Sequence, residues 1–498
     1  MVIEDPKTRV LVTSVVMLAA LLQILDTTIV TVALPRMQGQ LGASAEQMGW
    51  VLTSYLIASG IFMPLTGLLT DRFGQRNYLV LSIAGFVAAS MLCGLATSLD
   101  EIVLFRLLQG VAGAGLVPSA QAILVNIFPR AQRGQAMAIF GVGAMVGPIL
   151  GPTLGGYLTQ VLNWRWTFFV NLPVGALALM GVLLFVPDTE RRERHADWLG
   201  FAFLALAIAS MQYVLDRGQQ YGWFSSHVIQ IGATISVFAF ICLILRNWEM
   251  GRDAIFDLRV FADRNFAVSA VILATFMFSM YGVLDLQPLM LETSLGYPAF
   301  TTGLLLAPRG LGSMVAMLLA GRLLRRVDPR WLILCGIGIT VFSTWVTTWY
   351  TLDVDAWWIT WPIVVQGFGL GMVFVPLATV SFATLPADKS AEGAGVRQLS
   401  RTVGASLGVS VGSAVMADSG QAAWNHLGGN ITPFSDAVSR YLQPLGLNMH
   451  DPRAGAVLAH ELGQQAHFIG LLHAFGIMAI TVVIGLPLLL LVSREAGH

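Results

Sequence analysis

Six charged residues stand inside stretches that are otherwise apolar: Asp26, Arg106, Asp285, Arg309, Arg397 and Arg401. On insertion scales such a group costs about 2.5–3.5 kcal/mol at the centre of a lipid-spanning helix, so it must face a partner or a cavity. Low-dielectric surroundings disfavour an ionised carboxyl, which equips a residue placed like Asp26 to exchange a proton near neutral pH. Asp26 and Arg106 carry matching charges for an ion pair, and Asp285 and Arg309 repeat the combination later in the chain. Arg397 and Arg401, four residues apart on one helical face, are suited to meet Asp285, an anionic small molecule or a lipid phosphate.

No other reaction chemistry is spelled out. The chain has no CxxC, no HExxH, no GKS/GKT phosphate loop and no GxSxG elbow, so no catalytic site is expected. Its eight histidines lack metal-ligand spacing, so neither a metal nor a cofactor is expected beyond a coupling proton. Cys93, Cys242 and Cys335 lie in apolar stretches, which excludes a disulfide framework. Acidic and basic residues balance at 28 each, leaving no basic footprint for nucleic acid.

The elements that must hold these charges are membrane helices. Of 498 residues 56% are hydrophobic and 11% charged, and mean hydropathy is +0.72. Lipid must therefore be the solvent for most of the surface. Spans are expected near 10–33, 46–69, 77–98, 101–126, 134–160, 166–187, 197–215 and 227–246. Six more follow near 265–292, 299–321, 330–351, 356–384, 390–416 and 467–493, making fourteen. With both termini cytoplasmic, the inner loops and tails hold nineteen basic residues. The outer loops then hold five (Arg36, Arg165, Arg217, Arg440 and Arg453), as the positive-inside rule requires. In that orientation Asp26 lies roughly 24 Å along its outward-running helix and Arg106 roughly 8 Å along its inward-running one. Both fall in the outer third of a core about 30 Å thick, so the two are expected to pair or to compete for one proton.

The chain also repeats itself at an offset of roughly 254–259 residues. Leu25-Asp26 matches Leu284-Asp285, GLLTDRFGQR (67–76) matches GRLLRRVDPR (321–330), and QGVAGAG from Gln109 matches QGFGLG from Gln366. Gly147, Gly151 and Gly155 match Gly404, Gly408 and Gly412. The counterpart of Arg106 falls near Ile363, so the scaffold is duplicated and the arginine is not. The expected architecture is all-α: a six-helix bundle over 1–187, two inserted helices over 188–250, and a second bundle over 251–498 that includes an outer segment at 419–466. That segment is too polar to span and is expected to hold short helices near 433–443 and 453–465.

These stretches, with WRWTFFVNLP (164–173), LDRGQQYGWFSS (215–226), IFDLRVFADRNF (255–266) and SRTVGASLG (400–408), resemble the major facilitator superfamily. The run GVGAMVGPILGPTLGGYL (141–158) is similar to the antiporter signature of its fourteen-span drug:proton branch, that of the EmrB-type exporters. Gly143, Gly147, Gly151, Gly155 and Gly156, bracketed by Pro148 and Pro152, let helix backbones approach, and the resemblance implies a hinge between bundles. The same resemblance associates Arg106 with proton transfer. In the loop formed by Gly67, Asp71, Arg72, Gly74 and Arg76, Asp71 is placed to cap the helix beginning near Lys389–Ala391 and so latch the halves. Gln23, Gln109, Phe276, Tyr281, Gln366, Met372 and Phe374 are candidates to line a cavity for hydrophobic or amphipathic compounds. The implied activity is proton-driven export of such compounds by alternating access across a bacterial inner membrane. A periplasmic adaptor and an outer-membrane channel are the implied partners. A metabolite or siderophore uniporter or symporter on the same fold, or a channel, remains as an alternative.

Overall fold

The computed structural model describes residues 3, 5–43, 45–129, 132–189, 191, 197–251, 258–386, 389–432, 435–448 and 451–491. Among them are helices and no strand. The inner-loop residues Arg130, Arg192, Arg194, Arg252 and Arg494, and the start of the 255–266 motif, lie outside the described residues.

The first half comprises α1 (Pro6–Leu41), α2 (Ala45–Phe62) running through a 3-10 turn into α3 (Thr66–Phe73), α4 (Gln75–Leu95), and α5 (Leu99–Gly113) followed by α6 (Leu116–Ile127). It continues through α7 (Arg133–Val161), the short α8 (Trp166–Phe169) and α9 (Asn171–Phe185). Two further helices, α10 (Trp198–Arg217) and α11 (His227–Met250), precede the second half. That half holds α12 (Arg264–Leu289), α13 (Ala299–Leu306), α14 (Pro308–Leu323), α15 (Pro329–Thr347), α16 (Ala356–Ala383), α17 (Ser390–Gly428), α18 (Asp436–Leu442) and α19 (Pro452–Ile484). Polar caps start the helices where the chain re-enters apolar surroundings: Asp5, Ser98, Asp197, Asp263 and Asp328 each accept a backbone N–H of the first turn.

The sequence repeat is a repeat of packing. α1 lies on α7 and α9 as α12 lies on α17 and α19. The pairs α2–α5, α4–α5 and α4–α9 recur as α14–α16, α15–α16 and α15–α19. Glycines allow the closest approaches. A Cβ at Gly110 would meet the Tyr55 carbonyl, and one at Gly367 the Arg309 carbonyl. Gly404 and Gly408 are pressed in the same way on the Ala274 and Phe278 carbonyls of α12.

Thirteen helical segments among the described residues are long and apolar enough to cross a membrane. The expected span at 390–416 is not among them. It lies in α17, whose 39 residues extend about 58 Å and whose sequence carries two arginines and many small polar residues. Helices pack against α17 from several sides, namely α12, α19, α10, α6 and α3, so little of it needs to suit lipid. The outer segment also differs from expectation. The helix expected at 453–465 is the first part of α19, which enters its span without a break; Asp451 caps it through the Arg453 N–H. The Arg453 side chain also donates to that carboxylate and holds it below the ordinary carboxylate range.

The two halves meet at one end, called inner because the basic loops collect there. A Cβ at Gly141 of α7 would strike Met317 of α14, Gly395 of α17 lies against Met63 and Pro64, and Arg325 donates to Gln135 at 3.5 Å. One continuous apolar core there joins Val12, Ala136 and Phe140 to Phe276, Met317 and Leu377. Toward the outer end the cores part. Ile29, Met37 and Trp164 belong to one, and Leu286, Met290 and Phe475 to another. α10 stands beside both halves. Its Asp216 accepts from Thr53 of α2 at 2.7 Å and from its own Gln212 at 2.9 Å, while Gln212 accepts from Ser406 of α17 at 2.7 Å. The molecule is therefore closed at the inner end.

The close approach of α17 to α12 yields a test. Gly408→Ala forces a Cβ into the Phe278 carbonyl and is expected to cost about 1–3 kcal/mol, the range for overpacking. Gly412→Ala, whose nearest neighbours are the side-chain ends of Leu286 at 3.3 Å and Met478 at 3.5 Å, is expected to melt near the parent. Thermal melting of the two purified variants separates them.

Candidate functional site

Asp26 and Arg106 lie side by side in the first half, each 0% exposed. The turn of α1 at Asp26 faces the outer part of α5, and Arg106 Nη1 donates to Asp26 Oδ2 at 2.6 Å. The other carboxylate oxygen accepts from Gln109 Nε2 and Asn171 Nδ2, both at 2.9 Å. The guanidinium has further support. Nε donates to the Val51 carbonyl at 3.0 Å, Nη1 also reaches Gln109 Oε1 at 2.8 Å, and the Tyr55 ring lies 4.3 Å below its carbon. Asn171 is itself held by Ser90 Oγ at 2.9 Å, and Ser90 donates to the Phe168 carbonyl. Desolvating two ions costs several kcal/mol each, about the scale that a close pair with added hydrogen bonds can offset. Arg106 Nη2, Asn171 Oδ1 and the Tyr55 hydroxyl nonetheless lack a hydrogen-bond partner among the described residues.

The second charge group is arranged otherwise. Asp285 and Arg309 do not pair; Arg309 Nη2 donates to Gln287. Residues two apart on a helix point about 200° apart at 3.6 residues per turn, so the arginine sits on the face of α12 away from Asp285. Asp285 is exposed and has no ion pair among the described residues. Arg401 Nη2 donates to the Tyr281 hydroxyl at 2.7 Å. Arg397 is buried over the Phe374 ring, 5.3 Å away, without a hydrogen bond to any described residue. The duplicated carboxylate has thus diverged: Asp26 has its arginine, while the position matching Arg106 in the second half is the buried Ile363.

Of the residues expected to line a cavity, most are enclosed. Gln109 belongs to the Asp26 network. Gln23 donates to Ser59 Oγ at 3.4 Å and accepts from the Val117 N–H at 3.2 Å, which joins α1, α2 and α6. Gln366 donates to Thr344 at 3.0 Å, and Phe276, Met372 and Phe374 are buried in the core shared by the halves. Amides in an apolar span are drawn to buried partners, and the closed inner end covers the aromatics. Tyr281 alone of the seven is half-exposed.

The glycine run also lies differently from the expected hinge between bundles. A Cβ at Gly143 would meet Met17, at Gly147 Ile24, at Gly151 Thr28 and at Gly155 Ile29, all on α1; Thr28 Oγ1 donates to the Gly147 carbonyl at 3.2 Å. Gly156 is looser, 3.9 Å from Val32. The run joins α7 to α1 within the first half, because four-residue spacing keeps all four glycines on one face. α7 passes unbroken through Pro148 and Pro152; Pro148 is exposed, and the Pro152 side chain lies outside the described residues.

In the inner loop, Gly67 is buried and Arg72 exposed. Gly74 takes φ +83°, a left-handed conformation that favours glycine, and a Cβ there would touch Asp188. Arg76 reaches Asp188 at 4.0 Å, and Asn77 donates to it at 3.2 Å. The α3 segment carrying Asp71 packs on α17, whereas the expected cap falls on residues 390–391, whose side chains lie outside the described ones. Asn171 and Asp188 are partners that sequence reasoning missed. Their signals were an amide inside the apolar run WRWTFFVNLP and a carboxylate directly after the sixth span.

The sequence model described as Major Facilitator Superfamily matches residues 16–409. The chain belongs to the major facilitator superfamily. It is 33% identical over 465 residues to the multidrug export protein EmrB of Escherichia coli (strain K12), covering 92% of this chain and 90% of that one. It is 32% identical over 493 residues to the fatty acid resistance protein FarB of Neisseria gonorrhoeae, covering 97% and 96%. Among solved structures, a human organic anion transporter (TETRAN) shares the fold with a TM-score of 0.66 at 16% identity, covering 98% of this chain and all of that one. This superfamily member is an EmrB-like, multi-pass transporter of the bacterial inner membrane and not an enzyme.

The buried pair makes a stability prediction. Arg106→Gln strands the Asp26 charge and is expected to cost about 3–5 kcal/mol, the range for breaking a buried ion pair. The double variant Asp26→Asn/Arg106→Gln removes both charges and is expected to recover more than half of that loss. Denaturant unfolding of the three proteins in one detergent gives the comparison.

Proposed function

We propose that this transporter is a multidrug exporter that expels hydrophobic and amphipathic compounds in exchange for protons, by alternating access. The observation that carries the proposal is the enclosed Asp26–Arg106 pair with its donors Gln109 and Asn171. A proton on Asp26 cancels the charge that holds Arg106, and the guanidinium must then find another partner. Protonation is in this way tied to the packing of α1, α5 and α9, and through the glycine contacts to α7. The names of the relatives, multidrug export protein and fatty acid resistance protein, support the export direction and a broad substrate class.

In the present closed-inside conformation Asp26 is sealed from water, so its proton enters or leaves only when the helices around it move. Asp285, exposed here and without an ion pair to a described residue, is not enclosed as Asp26 is, which favours it as a second carrier. We further propose that 1–187 and 251–498 are the rocking units, with both termini cytoplasmic, and that 188–250 is carried between them. The α17–α19 hairpin exceeds an approximately 30 Å hydrocarbon core, so its outer part and residues 429–432 and 435–448 form the surface a periplasmic adaptor and outer-membrane channel would use.

Reconstitution tests the coupling. In proteoliposomes with an acid interior, uptake of a fluorescent amphiphile with matching loss of internal protons is expected for the parent. Asp26→Asn is expected to lower proton-driven uptake at least about tenfold while leaving equilibrium binding of the amphiphile within about twofold, a factor of ten being about 1.4 kcal/mol. Full exchange by Asp26→Asn, with loss only in Asp285→Asn, would transfer the carrier role to Asp285.

A further inference from the structure

The span over 99–127 is interrupted in mid-course, between α5 and α6. α5 closes with the Ala114 N–H on the Gly110 carbonyl, and α6 opens with the Ser119 N–H on the Gly115 carbonyl. Between these bonds Pro118 has no N–H to give, and the Val117 N–H donates sideways to Gln23 Oε1 of α1 at 3.2 Å. Interrupted backbone inside a span needs partners within the protein, and the buried Gln23 side chain supplies one. Aromatic side chains close on the break. A Cβ at Gly115 would strike Tyr78 of α4, and one at Gly113 would strike Phe86 of α4 and lie 3.2 Å from the Tyr55 hydroxyl of α2.

Proline does not explain the break by itself. The repeat carries QGFGLG and Pro376 into α16, which runs unbroken from Ala356 to Ala383. The offset that matches Asp26 to Asp285 matches Gln23 to Gly282, which has no side chain to receive a backbone N–H. The interrupted span, the glutamine that caps it and the buried Asp–Arg pair therefore occur together in the first half. At the matching positions of the second half, among the described residues, all three are missing.

The two parts of the span have different neighbours. α5 packs on α2 and α4 of its own half, and its Ile102 belongs to the outer core with Ile29 and Trp164. α6 packs on α17 of the opposite half, and its Leu116, Ile123 and Leu124 belong to the core that joins the halves at the inner end. One face of α1 grips both parts. Asp26 holds α5 through Arg106 at 2.6 Å, and Gln23, one turn away, holds the first turn of α6.

We propose that the break at Ala114–Gly115 is an elbow through which the charge on Asp26 acts on the inner closure, with Gln23 as its positioning residue. Loosening the grip on Arg106 shifts the α1 face, and Gln23 carries the shift to α6. The elbow lets α6 tilt against α17 without drawing α5 away from α2 and α4. A continuous helix would tie those two motions together. This elbow deepens the coupling reading and depends on it only for its part in transport.

Spin-label distances in the full-length protein in nanodiscs, without a proton gradient or a transported compound, test the elbow. Labels are attached in pairs at Asn126→Cys near the inner end of α6, Leu81→Cys on α4 and Trp331→Cys on α15. Cys242→Ala and Cys335→Ala remove the accessible thiols, and Cys93 is buried. Asp26→Asn, which removes the charge as a proton does, is expected to lengthen the 126–331 distance at least about twofold more than the 81–331 distance, because a hinge moves one element and rigid rocking moves both alike. Gln23→Met keeps the bulk and removes the amide oxygen; in that background at least about half of the extra lengthening is expected to disappear, the mark of coupled sites. Equal changes in the two distances, no change in either, or an extra lengthening left intact by Gln23→Met overturns the proposal. If Gln23→Met fails to fold, Pro118→Ala decides. It restores a backbone donor to the span and is expected to bring the two distances to equal changes, and an extra lengthening that persists in it overturns the proposal. Full exchange by Asp26→Asn in proteoliposomes would remove Asp26 as the carrier and leave the distance comparison as it stands, so the two readings fail separately.

Discussion

The structure depends on keeping ionised groups out of contact with hydrocarbon. Asp26 and Arg106 meet this constraint by pairing at 2.6 Å and by recruiting Gln109, Asn171 and the Val51 carbonyl. Those partners come from α2, α5 and α9, so one buried charge pair ties four helices of the first half, α1 included, to a single arrangement. A change in its protonation is for the same reason a change in how the helices fit.

The duplicated scaffold sets off this asymmetry. Both halves use the same helix pairings and the same glycines at close approach, and both place an aspartate at the matching turn of their first helix. Only the first half supplies an arginine to meet it. The second half places its positive charge on α17 instead, where Arg397 lies over the Phe374 ring and Arg401 donates to the Tyr281 hydroxyl. Equal backbones thus carry unequal electrostatics: an arginine paired with its aspartate on one side, and on the other two arginines with no carboxylate partner among the described residues.

Closure at the inner end gives the asymmetry its context. A single apolar core crosses between the halves there, while the outer cores are separate, and α10 bonds to α2 and α17 on the way to the outer end. Apolar contact is non-directional, so one set of inner faces could separate and reform in the proposed rocking of the halves. The hydrogen-bonded network around Asp26 is directional and either holds or breaks. In the proposed exchange cycle the first would serve as a soft gate and the second as a discrete switch.

Composition and periodicity alone established that the chain is a membrane protein of long helices, that it is internally duplicated, and which charges are confined to its interior. These properties are local: hydropathy, spacing and repetition are written along the chain. The depth argument likewise placed Asp26 and Arg106 at one level, because helical rise converts residue count into distance. The tertiary structure decided what faces what. It turned Arg309 toward Gln287, set the glycine run on α1, enclosed Gln23, Gln366, Phe276, Met372 and Phe374, and made 453–465 part of α19. All but the last depend on the rotation of one helix relative to another. Packing between residues distant in sequence sets that rotation, and no pattern within a single span records it.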